Sequence, residues 1–150
     1  MATAITPAGA ADLPAVLGLL DAAALPHRDV TPALLQHYLV ARRAGALLGV
    51  VGLEPLGPAG LLRSLAVASE ERGHGLGVEL TRALERHAGG LGISRLYLLT
   101  TTAERFFTRL GYRAIPRADA PPALQQTTEF RELCSSSSVC MVRDLLSRGA

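Results

Sequence analysis

Three glycines stand at alternate positions in Arg72-Gly73-His74-Gly75-Leu76-Gly77, immediately ahead of a segment with helical apolar spacing. Glycines at a strand-to-helix turn let backbone N–H groups approach a ligand with no Cβ in the way. Those N–H groups are the donors that a helix start leaves unsatisfied, and the helix dipole adds positive potential there. The combination suits a phosphate or pyrophosphate. A charge at such a terminus gains about 0.3–1 kcal/mol, so charge-assisted hydrogen bonds at about 1.5–3 kcal/mol each must supply most of the hold. Arg72 either adds its own charge or is an ordinary solvated arginine. By itself a glycine triplet also serves close packing, so the neighbouring elements decide its meaning.

Composition narrows the ligand. All 15 basic residues are arginine, and the 150-residue chain has neither lysine nor asparagine. The count itself fits compositional drift in a GC-rich genome. It nevertheless removes the lysine nucleophile, the Schiff-base lysine and the lysine of a nucleotide P-loop. A Rossmann site also fits poorly. The spacing is Gly73-x-Gly75-x-Gly77, not G-x-G-x-x-G, and no acid for a ribose stands about 20 residues on, near Arg95 to Tyr97.

Other residues could act as base or substrate ligand. Glu54 closes an apolar strand, where burial would push its carboxyl toward neutrality and make it a base; a strand-end acid facing water is the alternative. Arg63 interrupts the apolar run Leu61 to Leu65. Strand alternation would aim Arg63, Leu65 and Val67 to one face and Ser64 to the other. A charge so placed needs an internal acid such as Glu54 or an anionic substrate. Glu104 opens a helix, where the dipole alone favours an acid. His74 matters for its backbone, while His27, His37 and His87 are scattered. Cys134 and Cys140 have no nearby histidine and too few companions for a zinc site, so no metal is expected.

These residues need elements to hold them. At 49% hydrophobic, 19% charged and net +2, the chain reads as one globular domain over 1–150, with no charge argument for nucleic acid or a membrane surface. The longest uncharged apolar run, Ala44 to Leu53, is far below the roughly 20 residues of a spanning helix. The N-terminus lacks the basic region of a signal peptide, and two cysteines make no secreted disulfide framework, so the cytoplasm is expected. Leu13, Val16, Leu17 and Leu20 predict a helix from Leu13 to Ala24 with Asp12 as N-cap and Pro26 as stop. Thr31 would cap a short turn. Strands are predicted at Tyr38–Arg42, Leu47–Leu53 (covered on both faces) and Leu61–Val67, with turns at Ala44-Gly45 and Gly57 to Gly60. A helix then runs to about Gly89 with Leu76, Leu80, Ala83, Leu84 and Ala88 on one face and Arg82, Glu85 and Arg86 mostly on others. Strand Arg95–Thr101, helix Ala103–Leu110 stopped by Gly111, strand Arg113–Pro116, helix Pro122–Leu133 and strand Val139–Arg143 complete a mixed α+β domain.

In this context the glycine turn acquires a meaning. Leu65-Ala66-Val67, four spacers, Arg72-x-x-Gly75-x-Gly77, a helix, the strand Leu96 to Thr101, and Ala103-x-x-Phe106-Phe107-x-Arg109-Leu110-Gly111-Tyr112 closely resemble the GNAT family of acetyl-CoA-dependent N-acetyltransferases. The likeness covers the whole chain in element order and is strongest over Leu61 to Tyr112. Leu62 to Leu65, Tyr97 to Thr102 and Ala120 to Cys134 also resemble a subgroup linked with arsenic resistance, which leaves a metalloid-sensing role for Cys134 and Cys140 as an alternative to two plain thiols.

The resemblance implies a splayed, mostly antiparallel sheet flanked by helices, with acetyl-CoA in a V-shaped gap between central strands. It implies pantetheine pairing with the backbone of Leu65 and Val67 beside Ala66, pyrophosphate on the amides of Arg72 to Gly77, and Thr102 and Phe106 on the cofactor's other side. Arg63 and Ser64 are the expected substrate contacts. Many relatives carry a tyrosine acid where Phe107 stands, and asparagine where Thr100 stands; Tyr112, Tyr97 or water must replace that acid. The expected activity is direct acetyl transfer to a small primary amine, amino-acid-like or anionic, with Glu54 and Tyr112 as catalytic candidates and a monomer or homodimer as the working form. The alternatives are an acyl-CoA-binding module without catalysis and an acetylase of protein N-termini.

Overall fold

The computed structural model describes residues 3–133 and 137–145, the side chain of Leu133 excepted; Cys134 lies outside them. Residues up to Glu54 together with Leu62–Arg86 form one compact unit, and Pro55–Leu61 with the residues from His87 onward form another. Among the described residues seven strands make one mostly antiparallel sheet of order β1-β2-β3-β4-β5-β7-β6, with helices flanking it.

The first unit begins with β1 (Ala4–Pro7), an edge strand paired antiparallel to β2 (Tyr38–Arg43). Helix α1 (Leu13–Ala22) buries Val16 and Leu20, with Leu13 and Leu17 half-buried beside them, as the apolar spacing requires. Burying each such side chain contributes about 1.5–3 kcal/mol. Asp12 does not cap this helix. Its backbone is helical (φ −82°, ψ −10°) where a cap is extended, and its Oδ2 instead accepts from Gly9 N at 2.7 Å and from Arg42 at 2.5 Å. The helix stops at Ala22, two residues before the predicted end, and Ala24 turns the chain with φ +57°. Thr31 does cap the next turn, a 3-10 stretch over Leu34–His37, through Oγ1 and Leu34 N at 3.3 Å.

Ala44 and Gly45 both have positive φ, +52° and +84°, which is the backbone of a two-residue hairpin between β2 and β3 (Ala46–Leu56). β3 is covered on both faces. Val50 joins Val16, Leu20, Leu35 and Tyr38 in one core, while a Cβ on Gly49 would stand 2.8 Å from Leu80 Cδ1. Leu80 of helix α2 (Leu76–Gly90) therefore packs into the space that the missing side chain leaves. Leu76, Leu80, Leu84 and Ala88 are buried along α2, as predicted, but Glu85 is buried too and is held by Arg82 at 2.9 Å.

In the second unit the opening residues of β4 (Ala59–Val67) run parallel to β5 (Arg95–Thr100) over three pairs, from Ala59 with Arg95 to Leu61 with Tyr97. The strand begins at Ala59, so the predicted turn shrinks to Gly57-Pro58. β5 pairs antiparallel with β7 (Val139–Asp144), which pairs in turn with β6 (Arg113–Ile115). Between β5 and β6 lies α3 (Glu104–Arg109), followed by Gly111 at φ +101°. The predicted helix from Pro122 is interrupted. A short α4 (Pro122–Gln125) ends where Thr127 Oγ1 donates to Leu124 O, and a π-helical stretch resumes over Glu129–Leu133. Tyr97, Leu124 and Cys140 form a second core. All three tyrosines are buried: Tyr38 in the first unit, Tyr97 and Tyr112 in the second. No described helix is long and apolar enough to cross a membrane.

Candidate functional site

The end of β4 and the turn into α2 lie in one unit and bring the glycine motif to the surface. Ala66 is buried in the first core, whereas Leu65 and Val67 on either side are half-buried. A 3-10 turn over Ser69–Glu71 follows, tied down by the Arg43–Glu71 ion pair. Arg72, Gly73, His74 and Gly75 are all exposed.

Gly73 and Gly75 have φ of +84° and +83°, conformations that an L side chain resists, and a Cβ on either would meet nothing within 4 Å. The space over this backbone is therefore open to a ligand. At the start of α2, Glu79 N donates to Gly75 O at 3.1 Å, so the amides of Gly75, Leu76, Gly77 and Val78 have no earlier helical carbonyl to use. Arg72 Nε donates to Val67 O at 3.3 Å, linking the turn to the strand end. An anion fits this cradle by both its geometry and its dipole.

The second constellation in the same unit centres on Arg63, whose side chain has no exposed surface. Its guanidinium grips Asp29 with two parallel bonds, 2.7 Å from Nη1 to Oδ2 and 2.6 Å from Nη2 to Oδ1. Nη1 also reaches Glu54 Oε1 at 3.2 Å. Of the two partners open to an arginine in an apolar strand, the structure supplies the internal acid, and supplies it twice. Glu54 and Asp29 keep 23% and 19% of their side chains exposed, so solvent reaches the carboxylates but not the guanidinium. β3 also continues two residues past Glu54, which is thus inside the strand and not at its end.

Ser64 departs from the expected alternation. Its φ of +61° breaks the regular pleat of β4, and its hydroxyl bonds Tyr38 OH at 2.8 Å in a buried setting. Opposite faces for Arg63 and Ser64 therefore cannot be read from period two.

The remaining candidates belong to the second unit. Tyr112 is buried and meets Phe107 edge-on, with ring centroids 5.5 Å apart; Phe107 meets half-buried Phe106 the same way at 5.0 Å. Thr102 is exposed, and Thr100 Oγ1 accepts from Ala103 N at 2.9 Å, so the threonine standing in place of asparagine fastens the start of α3. Burial pushes the Cys140 thiol up, with Arg117 opposing the shift weakly. Among the described residues no group of three His, Cys, Asp or Glu side chains could hold a metal ion.

Asp29 escaped sequence reasoning. It lies 34 positions from Arg63 in an irregular segment, and its only signal was the demand of a buried charge for a partner.

The model of the acetyltransferase (GNAT) family matches residues 16–112. The amino-acid acetyltransferase of Pseudomonas aeruginosa is 33% identical over 106 residues, which is 69% of this chain but 24% of that protein. The corresponding enzyme of Pseudomonas putida is 33% identical over 87 residues, 57% of this chain and 20% of that one. The chain thus spans about a quarter or less of the length of these curated relatives. Among solved structures, N-acetylglutamate synthase from Neisseria gonorrhoeae, in complex with coenzyme A and N-acetyl-glutamate, superposes with a TM-score of 0.84 at 24% identity, over 97% of this chain and 35% of that one. Rv2747 from Mycobacterium tuberculosis, solved with CoA, gives 0.81 at 23% identity over 94% of this chain and 98% of that one. At these identities the structural likeness establishes the fold.

Proposed function

Because the chain belongs to the acetyltransferase (GNAT) family, we propose that it is an acetyl-CoA-dependent N-acetyltransferase acting on a small, amino-acid-like primary amine. The observation that carries this reading is the open, positive-φ glycine turn between β4 and the start of a long helix. Its amides from Gly73 to Gly77 receive the pyrophosphate, the Arg72 amide being engaged with Ser69 O at 3.4 Å, and the backbone of Leu65 and Val67 pairs with the pantetheine arm. The amide at the end of β4 polarises the thioester carbonyl, where charge develops in the transition state.

The amine nitrogen attacks the thioester carbon, the new C–N bond forms and the C–S bond breaks. Glu54 takes the proton the amine loses, and coenzyme A leaves as the thiolate. Glu54 suits this role because one oxygen is fixed by Arg63 while the carboxylate keeps solvent access. Two carboxylates against one guanidinium leave the cluster with one net negative charge. That balance attracts an acceptor's ammonium group more than its carboxylate. The names of the curated relatives support an amino-acid acceptor.

The decisive test mixes the protein with acetyl-CoA and a panel of amino acids, including arsenic-bearing analogues for the suggested resistance role, and follows free thiol. Turnover of one amine, lowered about a hundredfold by Glu54→Gln, is expected for a lost general base. The second reading, an acyl-CoA-binding module without catalysis, is favoured by Phe107, which offers no hydroxyl and packs between Phe106 and Tyr112. Acetyl-CoA binding without turnover of any amine selects it. Absence of any CoA or acetyl-CoA binding in calorimetry rejects both.

A further inference from the structure

We infer that Asp29 is the positioning residue of the acceptor site: it clamps Arg63 so that Arg63 can hold Glu54 in one orientation. The inference rests on the proposed role of Glu54 as base. An arginine on a strand has several rotatable bonds, and Glu54 alone offers Nη1 a single contact of 3.2 Å. One long bond does little to set the plane of the guanidinium. The paired bonds from Asp29, at 2.6 and 2.7 Å, fix that plane, because a carboxylate and a guanidinium match as fork to fork. Asp29 also uses both of its oxygens on Arg63, whereas among the described residues Glu54 engages it through Oε1 alone. The division of labour follows: Asp29 compensates and orients the buried cation, and Glu54 Oε2 is left to face the amine.

The clamp has a second consequence. Asp29 stands in the segment between α1 and the Leu34–His37 turn, next to Val30, which is buried in the first core. The same bidentate contact that aligns Arg63 ties this segment to β4 of its own unit. The segment's conformation and the orientation of Glu54 are thereby coupled through the Arg63 side chain and its three hydrogen bonds, two to Asp29 and one to Glu54.

A double-mutant cycle tests this with the full chain and the best acceptor of the amine panel. Asp29→Asn keeps the shape and removes the charge. It is expected to lower kcat about tenfold, since small misplacements of a reacting group are costly, while leaving acetyl-CoA affinity unchanged. In the Glu54→Gln background the same substitution should lower kcat no further, because groups acting as a unit are not additive. If Asp29→Asn fails to fold, as judged by circular dichroism, Asp29→Glu takes its place with the same expectations, since it retains the anion but shifts it by one methylene. Full kcat in the Asp29 variant, or an undiminished further loss in the Glu54→Gln background, overturns the positioning role while the base assignment stands. An unaltered rate for Glu54→Gln, or no turnover of any amine, overturns the base assignment and this inference with it.

Discussion

A guanidinium with no exposed surface must have its charge compensated within hydrogen-bond reach, and Arg63 does so with carboxylates from two different segments. The requirement was legible in the sequence, since an arginine inside an apolar run is costly unless paired. The full answer was not, because nothing in local spacing distinguishes Asp29 from the other acids in irregular segments. Gly75 is the opposite case: its neighbours in sequence announce both the positive φ and the ligand class. Gly75→Glu should leave far-UV circular dichroism unchanged, because the αL strain of about 1–2 kcal/mol falls on an exposed turn. The carboxylate would meet the pyrophosphate, and the charge-assisted bonds lost at about 1.5–3 kcal/mol each should weaken CoA binding more than tenfold in calorimetry. Unchanged CoA affinity in the folded variant would remove the phosphate from this turn.

At the scale of elements, two small devices near the sheet edge give separate predictions. Ala44 holds φ +52° at the first position of a two-residue hairpin, where glycine or asparagine is preferred. Ala44→Gly should raise stability by about 0.5–1 kcal/mol, read as a higher denaturation midpoint. The second device joins the start of α1 to β2 through Asp12 and Arg42. The hydrogen bond from Arg42, aided by Gly9 N–H, holds the Asp12 carboxyl below its usual 3.8. A carboxyl depressed by folding contributes stability that is present above its unfolded value and is lost as pH falls through its folded value. Asp12→Asn should therefore cost about 1 kcal/mol at neutral pH, with the gap to the parent closing below about pH 4 in denaturant titrations.

Element by element, periodic segments were readable and aperiodic ones were not. α1, α2, β2, β3 and β5 carry a 3.6 or near-continuous apolar pattern and stand close to their predicted places. β1 has four residues, three of them exposed, and ends on a proline, so no pattern marks it. The Pro122 segment has helical composition throughout, but Thr127 turns its hydroxyl back on Leu124 O and breaks the helix. Ser64 shows the same limit within the candidate site: alternation assumes a regular pleat, and its positive φ removes one.

For the whole molecule, the chain passes between its two units inside three elements: β3 after Glu54, β4 after Leu61 and α2 after Arg86. Neither unit can unfold completely without releasing residues of elements that the other also uses. A chain of this size with such shared elements is expected to melt in one transition, with circular dichroism and a side-chain probe giving the same midpoint. Two midpoints would show the units opening separately. The burial of Tyr38, Tyr97 and Tyr112, in a sequence without tryptophan, supplies that probe ready-made. Tyrosine emission from this chain is an optical record of its two interiors, with one fluorophore in the first and two in the second. Replacing Tyr38 with phenylalanine would leave a signal from the second interior alone, and a single tryptophan placed beside the exposed Arg72–Gly75 turn would report a bound nucleotide cofactor without competing indole background.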